Sequence, residues 1–84
     1  MCWQKKRRQV VRMKGNVCLY CNEPQLPSTI SIDHVLPKHL GGTNHISNLA
    51  VSCKWCNRLK GSLLLTSFIE LYGIKITKKI ARYL

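Results

Sequence analysis

The apolar positions change rhythm along the chain. Residues 3–14 mix Trp3, Val10, Val11 and Met13 with Lys5, Lys6, Arg7, Arg8, Arg12 and Lys14, and Gly15-Asn16 supplies a helix stop, so a basic helix is predicted there. Glu23 to Ser28 contains two prolines and reads as a loop. Thr29 to Val35 is rich in β-branched residues and reads as a strand, with Ile30 and Ile32 on one face and Ser31, Asp33 and Val35 on the other. Pro37 ends it, and Lys38 to His45 forms a loop around Gly41-Gly42. Ser47 is placed to cap a short helical turn, and Ala50-Val51-Ser52 is a second strand ending at Cys53. Asn57 to Lys60 is compatible with a helix up to Gly61. Leu63 to Tyr72 reads as a helix stopped by Gly73, and Ile74, Ile76, Ile80 and Leu84 as another, capped by Thr77.

These elements predict one small α+β domain over residues 1–84, with a basic helix at 1–14, a core at 17–61 and C-terminal helices at 62–84. A chain of 84 residues buries a small apolar core, and domains of this size recruit a metal, a disulfide or a partner. The densest apolar cluster, Leu63-Leu64-Leu65 with Phe68-Ile69, falls far short of the roughly 20 residues a membrane span needs. The basic N-terminus is followed by no apolar signal segment, so a cytoplasmic setting is expected.

Charge narrows the function. Fourteen Lys and Arg face three acids, Glu23, Asp33 and Glu70, for a net charge of +11. A calcium site or a two-carboxylate glycosidase cleft needs more acids than that. A polyanion is the natural partner, nucleic acid above all. The basic helix is open to two readings, a solvated face or an arm that contacts phosphates.

Four of the five cysteines form two Cys-x-x-Cys pairs, Cys18/Cys21 and Cys53/Cys56. Two knuckles of this spacing complete a tetrahedral four-thiolate zinc site. Disulfides are disfavoured in a cytosolic chain. Four thiolates and one dication lower the folded charge to about +9. Cys2 is expected to be a free thiol without a role.

Between the knuckles the chemistry concentrates. Asp33 directly precedes His34, and Asn57 directly follows the second knuckle. A strand sends neighbours to opposite faces, so a bend near Pro37 is needed for Asp33 and His34 to share a cleft. Lys54, Arg58 and Lys60 surround the second knuckle and are candidate phosphate contacts, together with Arg7 and Arg8 of the basic helix. Trp55 is expected to pack on the zinc site rather than stack on a base. His39 is open to loop hydrogen bonding or a phosphate contact, and His45 is expected to be structural or exposed.

The run Cys18-x-x-Cys21, Ile32-Asp33-His34-Val35-Leu36-Pro37, Gly41-Gly42, Asn48-Leu49, Cys53-x-x-Cys56-Asn57, Lys60-Gly61 resembles an HNH endonuclease of the four-cysteine zinc-bearing subgroup common in phages and restriction systems. The resemblance runs from Cys18 to about Gly61. It implies a ββα-metal finger, with His34 as general base and Asp33 and Asn57 as ligands of a catalytic divalent cation. Asn48 would hold the loop that orients the histidine. The chain would be an H-N-N version, whose oxygen ligands suit Mg²⁺ or Mn²⁺. The implied substrate is DNA. A homodimer or a larger phage or restriction complex is a possible assembly, and the host cytoplasm the setting. With no recognition module in sight, low intrinsic sequence specificity is expected. The competing readings are a zinc finger that binds nucleic acid without cutting it, and a packaging accessory subunit docking through its apolar C-terminal segments.

Overall fold

The structure, a computed structural model, describes residues 3–84; the expectation for Cys2 lies outside the described residues. Helix α1 spans Trp3–Lys14, and Gly15 stops it at φ 86°, a left-handed conformation that favours glycine. Strand β1 spans Ile30–His34 and β2 Leu49–Cys53; they pair antiparallel with Ile30 opposite Cys53 and His34 opposite Leu49. Helix α2, Lys54–Lys60, follows β2 without a break and begins earlier than the sequence predicts, because the Cys53 sulfur caps it by accepting from the Cys56 amide at 3.2 Å. Helices α3, Leu65–Tyr72, and α4, Lys78–Ala81, complete the chain, the latter capped by Thr77 as expected. Single 3-10 turns cover Lys38–Leu40 and Ile46–Asn48. The second is capped by the His45 ring, not by Ser47, whose own backbone amide is the donor. No helix among the described residues is long and apolar enough to cross a membrane.

The hairpin is sandwiched. Ile30, Ile32, Leu49 and Val51 pack under α1 around fully buried Val10. On the other side Val35 and Ala50 meet the first knuckle, Phe68 of α3 and Ile80 of α4. Two cations of the basic helix serve this packing. Arg7 donates to the Ile30 carbonyl at 2.8 Å and more weakly to that of Pro27, tying α1 to β1. The candidate phosphate contact Arg7 is thus half-buried and bonded to the backbone of β1 through one nitrogen. Lys14 donates to the carbonyls of Ile46 and Leu49 at 2.7 and 2.5 Å and to the Tyr83 hydroxyl at 2.8 Å, so it laces α1 to the start of β2 and to the C-terminal turn.

Two knuckles close the frame. Cys18, Cys21, Cys53 and Cys56 gather their sulfurs within 4.8 Å of one another, and none is in a disulfide. Tetrahedral ligands about 2.3 Å from an ion lie about 3.8 Å apart, and Cys21 and Cys53 already stand at 4.0 Å. The Leu19 amide docks the first knuckle on β2 by donating to Val51 at 2.9 Å. Burial pushes the Cys56 thiol up, with the Cys53 hydrogen bond and the neighbouring thiols adding to it, and burial likewise raises Cys21. Burial also opposes the Cys53 thiolate, but its hydrogen bonds from Cys56, Cys18 and Cys21 together bring it down. Thiols crowded in this way cannot all ionise alone, whereas a dication among them favours the thiolates. The small α+β fold is thus the expected ββα finger on a four-cysteine cluster suited to structural zinc.

Zinc binding energies of about 10–16 kcal/mol rival the entire stability of a small domain, about 5–15 kcal/mol. Purified protein is expected to hold about one zinc per chain. Cys18→Ser should lose both the metal, by elemental analysis, and cooperative thermal unfolding. A Cys18→Ser protein that melts like the parent would contradict the structural role.

Candidate active site

The last two residues of β1 point different ways but serve one cleft. Asp33 is 3% exposed and turns inward, and His34 is half-buried. The strand ends at His34 and the chain turns through Val35 and Leu36 to Pro37. Asp33, His34 and Asn57 then line a cleft of about 420 Å³, with Pro37, His39 and Gly61 among its walls.

Asp33 is gripped from both knuckles. The Tyr20 hydroxyl, inside the first Cys-x-x-Cys pair, donates to its Oδ2. Lys60, at the end of α2, places Nζ 3.4 Å from Oδ1 and 3.3 Å from Oδ2. Lys60 is 0% exposed and also donates to the His34 carbonyl at 3.0 Å. Its expected phosphate contact is therefore corrected: the ammonium is consumed beneath the cleft, where a buried carboxylate needs a partner. Burial pushes the Asp33 carboxyl up, and the Tyr20 hydroxyl and the Lys60 ammonium pull it back. Burial first, and the Asp33 charge second, raise the Tyr20 hydroxyl, which keeps it a donor.

His34 is held at an edge and on a face. Its Nε2 lies 2.7 Å from Asn44 Oδ1, and the Trp3 ring stacks on it with centroids 5.6 Å apart and planes 8° from parallel. An amide oxygen opposite Nε2 calls for a proton there, which leaves the lone pair of the neutral ring on Nδ1. Neither Asn44 nor Trp3 was marked by the sequence reading. Asn48 anchors the intervening loop. Its Oδ1 accepts from the Leu36 amide at 2.8 Å, and its Nδ2 donates to the carbonyls of Leu36 and Thr43 at 3.1 and 2.9 Å. Gly42 lets that loop close: a Cβ there would sit 1.7 Å from the Leu36 carbonyl oxygen.

Asn57 donates through Nδ2 to the Ser31 hydroxyl at 2.6 Å. That bond leaves its amide oxygen free of the donor. A carboxylate and an amide oxygen are hard donors, the type that suits Mg²⁺ or Mn²⁺; both Asp33 oxygens already accept from Tyr20 and Lys60, so a cation there would share the carboxylate with them. On the outer side of α2, Lys54 and Arg58 are exposed. Trp55 is 66% exposed, not packed on the zinc site as expected. Arg8 is exposed on α1, His39 is exposed at the cleft, and His45 is exposed and caps its turn.

Comparison with known proteins gives a consistent picture. Residues 18–70 match the family model described as HNH endonuclease. The CRISPR-associated endonuclease Cas9 of Corynebacterium diphtheriae is 37% identical over 57 residues, covering 67% of this chain and 5% of that protein. The Cas9 of Actinomyces naeslundii is 30% identical over 69 residues, covering 81% of this chain and 6% of its own length. The crystal structure of the Type II-C Cas9 from Actinomyces naeslundii superposes with a TM-score of 0.75 at 27% identity, over 92% of this chain and 9% of that one. The chain thus spans less than a tenth of the relatives it matches. They are bacterial proteins, and they give the expected phage setting no support.

Two substitutions test the framework of the cleft. Lys60→Met strands Asp33, and breaking a buried pair in this way costs about 3–5 kcal/mol; denaturant unfolding should show a loss of that order, and an unchanged midpoint would refute the pairing. Gly42→Ala must displace the Leu36 carbonyl, at more than about 1 kcal/mol, and should lower Tm by at least about 4 °C.

Proposed function

We propose a function from one premise: the chain belongs to the HNH endonuclease family. It hydrolyses DNA phosphodiester bonds in a reaction that requires a divalent cation. The observation that supports this most directly is the convergence of Asp33, His34 and Asn57 on one cleft in a chain of net charge +11. A zinc finger that only binds nucleic acid has no use for that trio.

In this reading His34 takes a proton from the attacking water at Nδ1. A neutral imidazole within reach of the water serves as such a general base. Asn44 keeps the proton of the resting ring on Nε2, Trp3 restricts the ring's tilt, and Asn48 holds the loop from which Asn44 projects. Asp33 and Asn57 would hold Mg²⁺ or Mn²⁺. Such a cation, when bound, neutralises charge on the scissile phosphate and the departing 3′-oxygen. Tyr20 and Lys60 keep Asp33 in place beneath the cleft. Lys54, Arg58 and Arg8 meet phosphates on either side, contacts that give affinity without sequence information. Low intrinsic specificity follows, so that a partner subunit, a second copy or a larger polypeptide directs the cut.

Plasmid nicking with Mg²⁺ or Mn²⁺ tests the proposal. His34→Ala is expected to lower the rate by about 10²-fold or more while the affinity for DNA stays within about twofold of the parent, the order of a substitution worth about 0.5 kcal/mol. Equal cutting by both proteins would remove His34 from the mechanism. Tight DNA binding by the parent without nicking in either metal would favour the finger that binds and does not cut.

A further inference from the structure

Strand β1 has a free edge, because its sheet has two strands. The Thr29 carbonyl accepts from Lys54 across the hairpin at 3.2 Å. Carbonyls alternate in direction along a strand, so those of Ile30 and His34 point to the free edge. Arg7 of α1 donates to the first and Lys60 of α2 to the second. The candidate cleft lies at the His34 end of this edge. At the Ile30 end, a second and larger cavity of about 630 Å³ opens between α1 and the loop before β1. Four residues at about 3.3 Å each separate the two ends, about 13 Å.

Three arginines line that cavity, Arg7, Arg8 and Arg12, and Val11, Pro27 and Ile30 give it apolar walls. No carboxylate is among its lining residues. Arg7 is held against the wall by its bond to Ile30. Arg8 and Arg12 are exposed. Among the described residues the one ion pair joins Lys60 to Asp33, so neither arginine meets an acid. They stand one turn apart on α1, about 6 Å along its axis. That helix is fixed by Arg7, by Lys14 and by fully buried Val10. Cations scattered on a solvated helix face would carry no site. These share one hollow of a single sign of charge with apolar walls, which concentrates their field on an anion inside it. The guanidinium fork matches a phosphate.

We infer that Arg8 and Arg12 form a second phosphate site, which holds the sugar-phosphate backbone of a nucleic acid about 13 Å from the cleft, at the other end of β1. This deepens the nuclease reading, which supplies the phosphate in the cleft, but the site itself is read by binding alone. At about 3.4 Å per phosphate along one strand of a duplex, the offset is about four nucleotides. The contact holds backbone and not base, so it adds affinity and fixes the register of the strand without reading its sequence.

The test is binding of a fluorescent duplex by the full chain carrying His34→Ala, without added Mg²⁺ or Mn²⁺, over a series of salt concentrations. Adding Arg8→Gln and Arg12→Gln together should weaken binding roughly tenfold or more at about 0.1 M salt and flatten the salt slope by about two. A control removes the same charge elsewhere, through Lys75→Gln and Lys78→Gln, two exposed lysines that line neither this cavity nor the cleft. It should change the slope by less than about one half. Zinc content and Tm should match the parent in both. Equal losses in the two double variants would reduce the effect to net charge and overturn the inference. Parent-like binding by the arginine variant would overturn it as well, and would leave the cavity to an acidic protein segment. With His34 restored, the arginine variant should nick plasmid with a raised KM and a kcat within about twofold of the parent, as loss of a remote contact does. A fall in kcat at unchanged KM would place the arginines in the chemistry and overturn the remote site. A parent that nicks nothing, with the arginine-dependent slope intact, would sink the nuclease reading and leave the phosphate site standing.

Discussion

The gathering of four sulfurs from two knuckles far apart in the sequence is the constraint on which the molecule depends. Cys53 ends β2 and starts α2 with the same side chain, so the cluster fixes where the strand stops and in which direction the helix leaves. Cys18 and Cys21 hold the first knuckle, whose Leu19 amide docks on Val51. In a chain with so small an apolar core, a four-cysteine cluster suited to zinc is placed to do the work that buried area does in larger domains.

That constraint reaches the cleft through two side chains. Tyr20 lies between the cysteines of one knuckle, and Lys60 ends the helix that begins at the other. Both bond to Asp33. The carboxylate is therefore bonded to one residue inside the first knuckle and to one on the helix that leaves the second. His34 is steadied from elsewhere, by Asn44 in the loop that Asn48 braces and by Trp3 at the start of α1. Trp3 lies outside the residues that match the family model, so the basic helix contributes to the cleft as well as to the charge.

Much of this was legible in the sequence where the signal is local. A basic helix up to Gly15, β-branched runs for two strands, a threonine cap on α4 and paired cysteines at a metal-ligand spacing all declare themselves within a few residues. What the sequence hid depends on the third dimension. Nothing in the order of residues brings Trp3 onto His34, or Tyr20 to Asp33. Lys60 and Trp55 were misread for one reason, that residue type was taken as a guide to exposure. The lysine is buried because a buried carboxylate and a strand carbonyl need its protons. The tryptophan is exposed because the inner face of α2 is already filled by Cys56 and Lys60.

The inward cations also change how the charge is counted. Arg7, Lys14 and Lys60 spend their protons on the Ile30 carbonyl, on Leu49 and Ile46, and on Asp33. They add to the formal charge, yet no phosphate replaces their internal partners without cost to the fold. Counterion release on binding a polyanion scales with the phosphates neutralised, not with the cations in the composition. Under the proposed function, the ionic-strength dependence of nucleic-acid binding would be set by the outward subset, which includes the exposed Arg8, Lys54 and Arg58, and would be shallower than fourteen basic residues suggest.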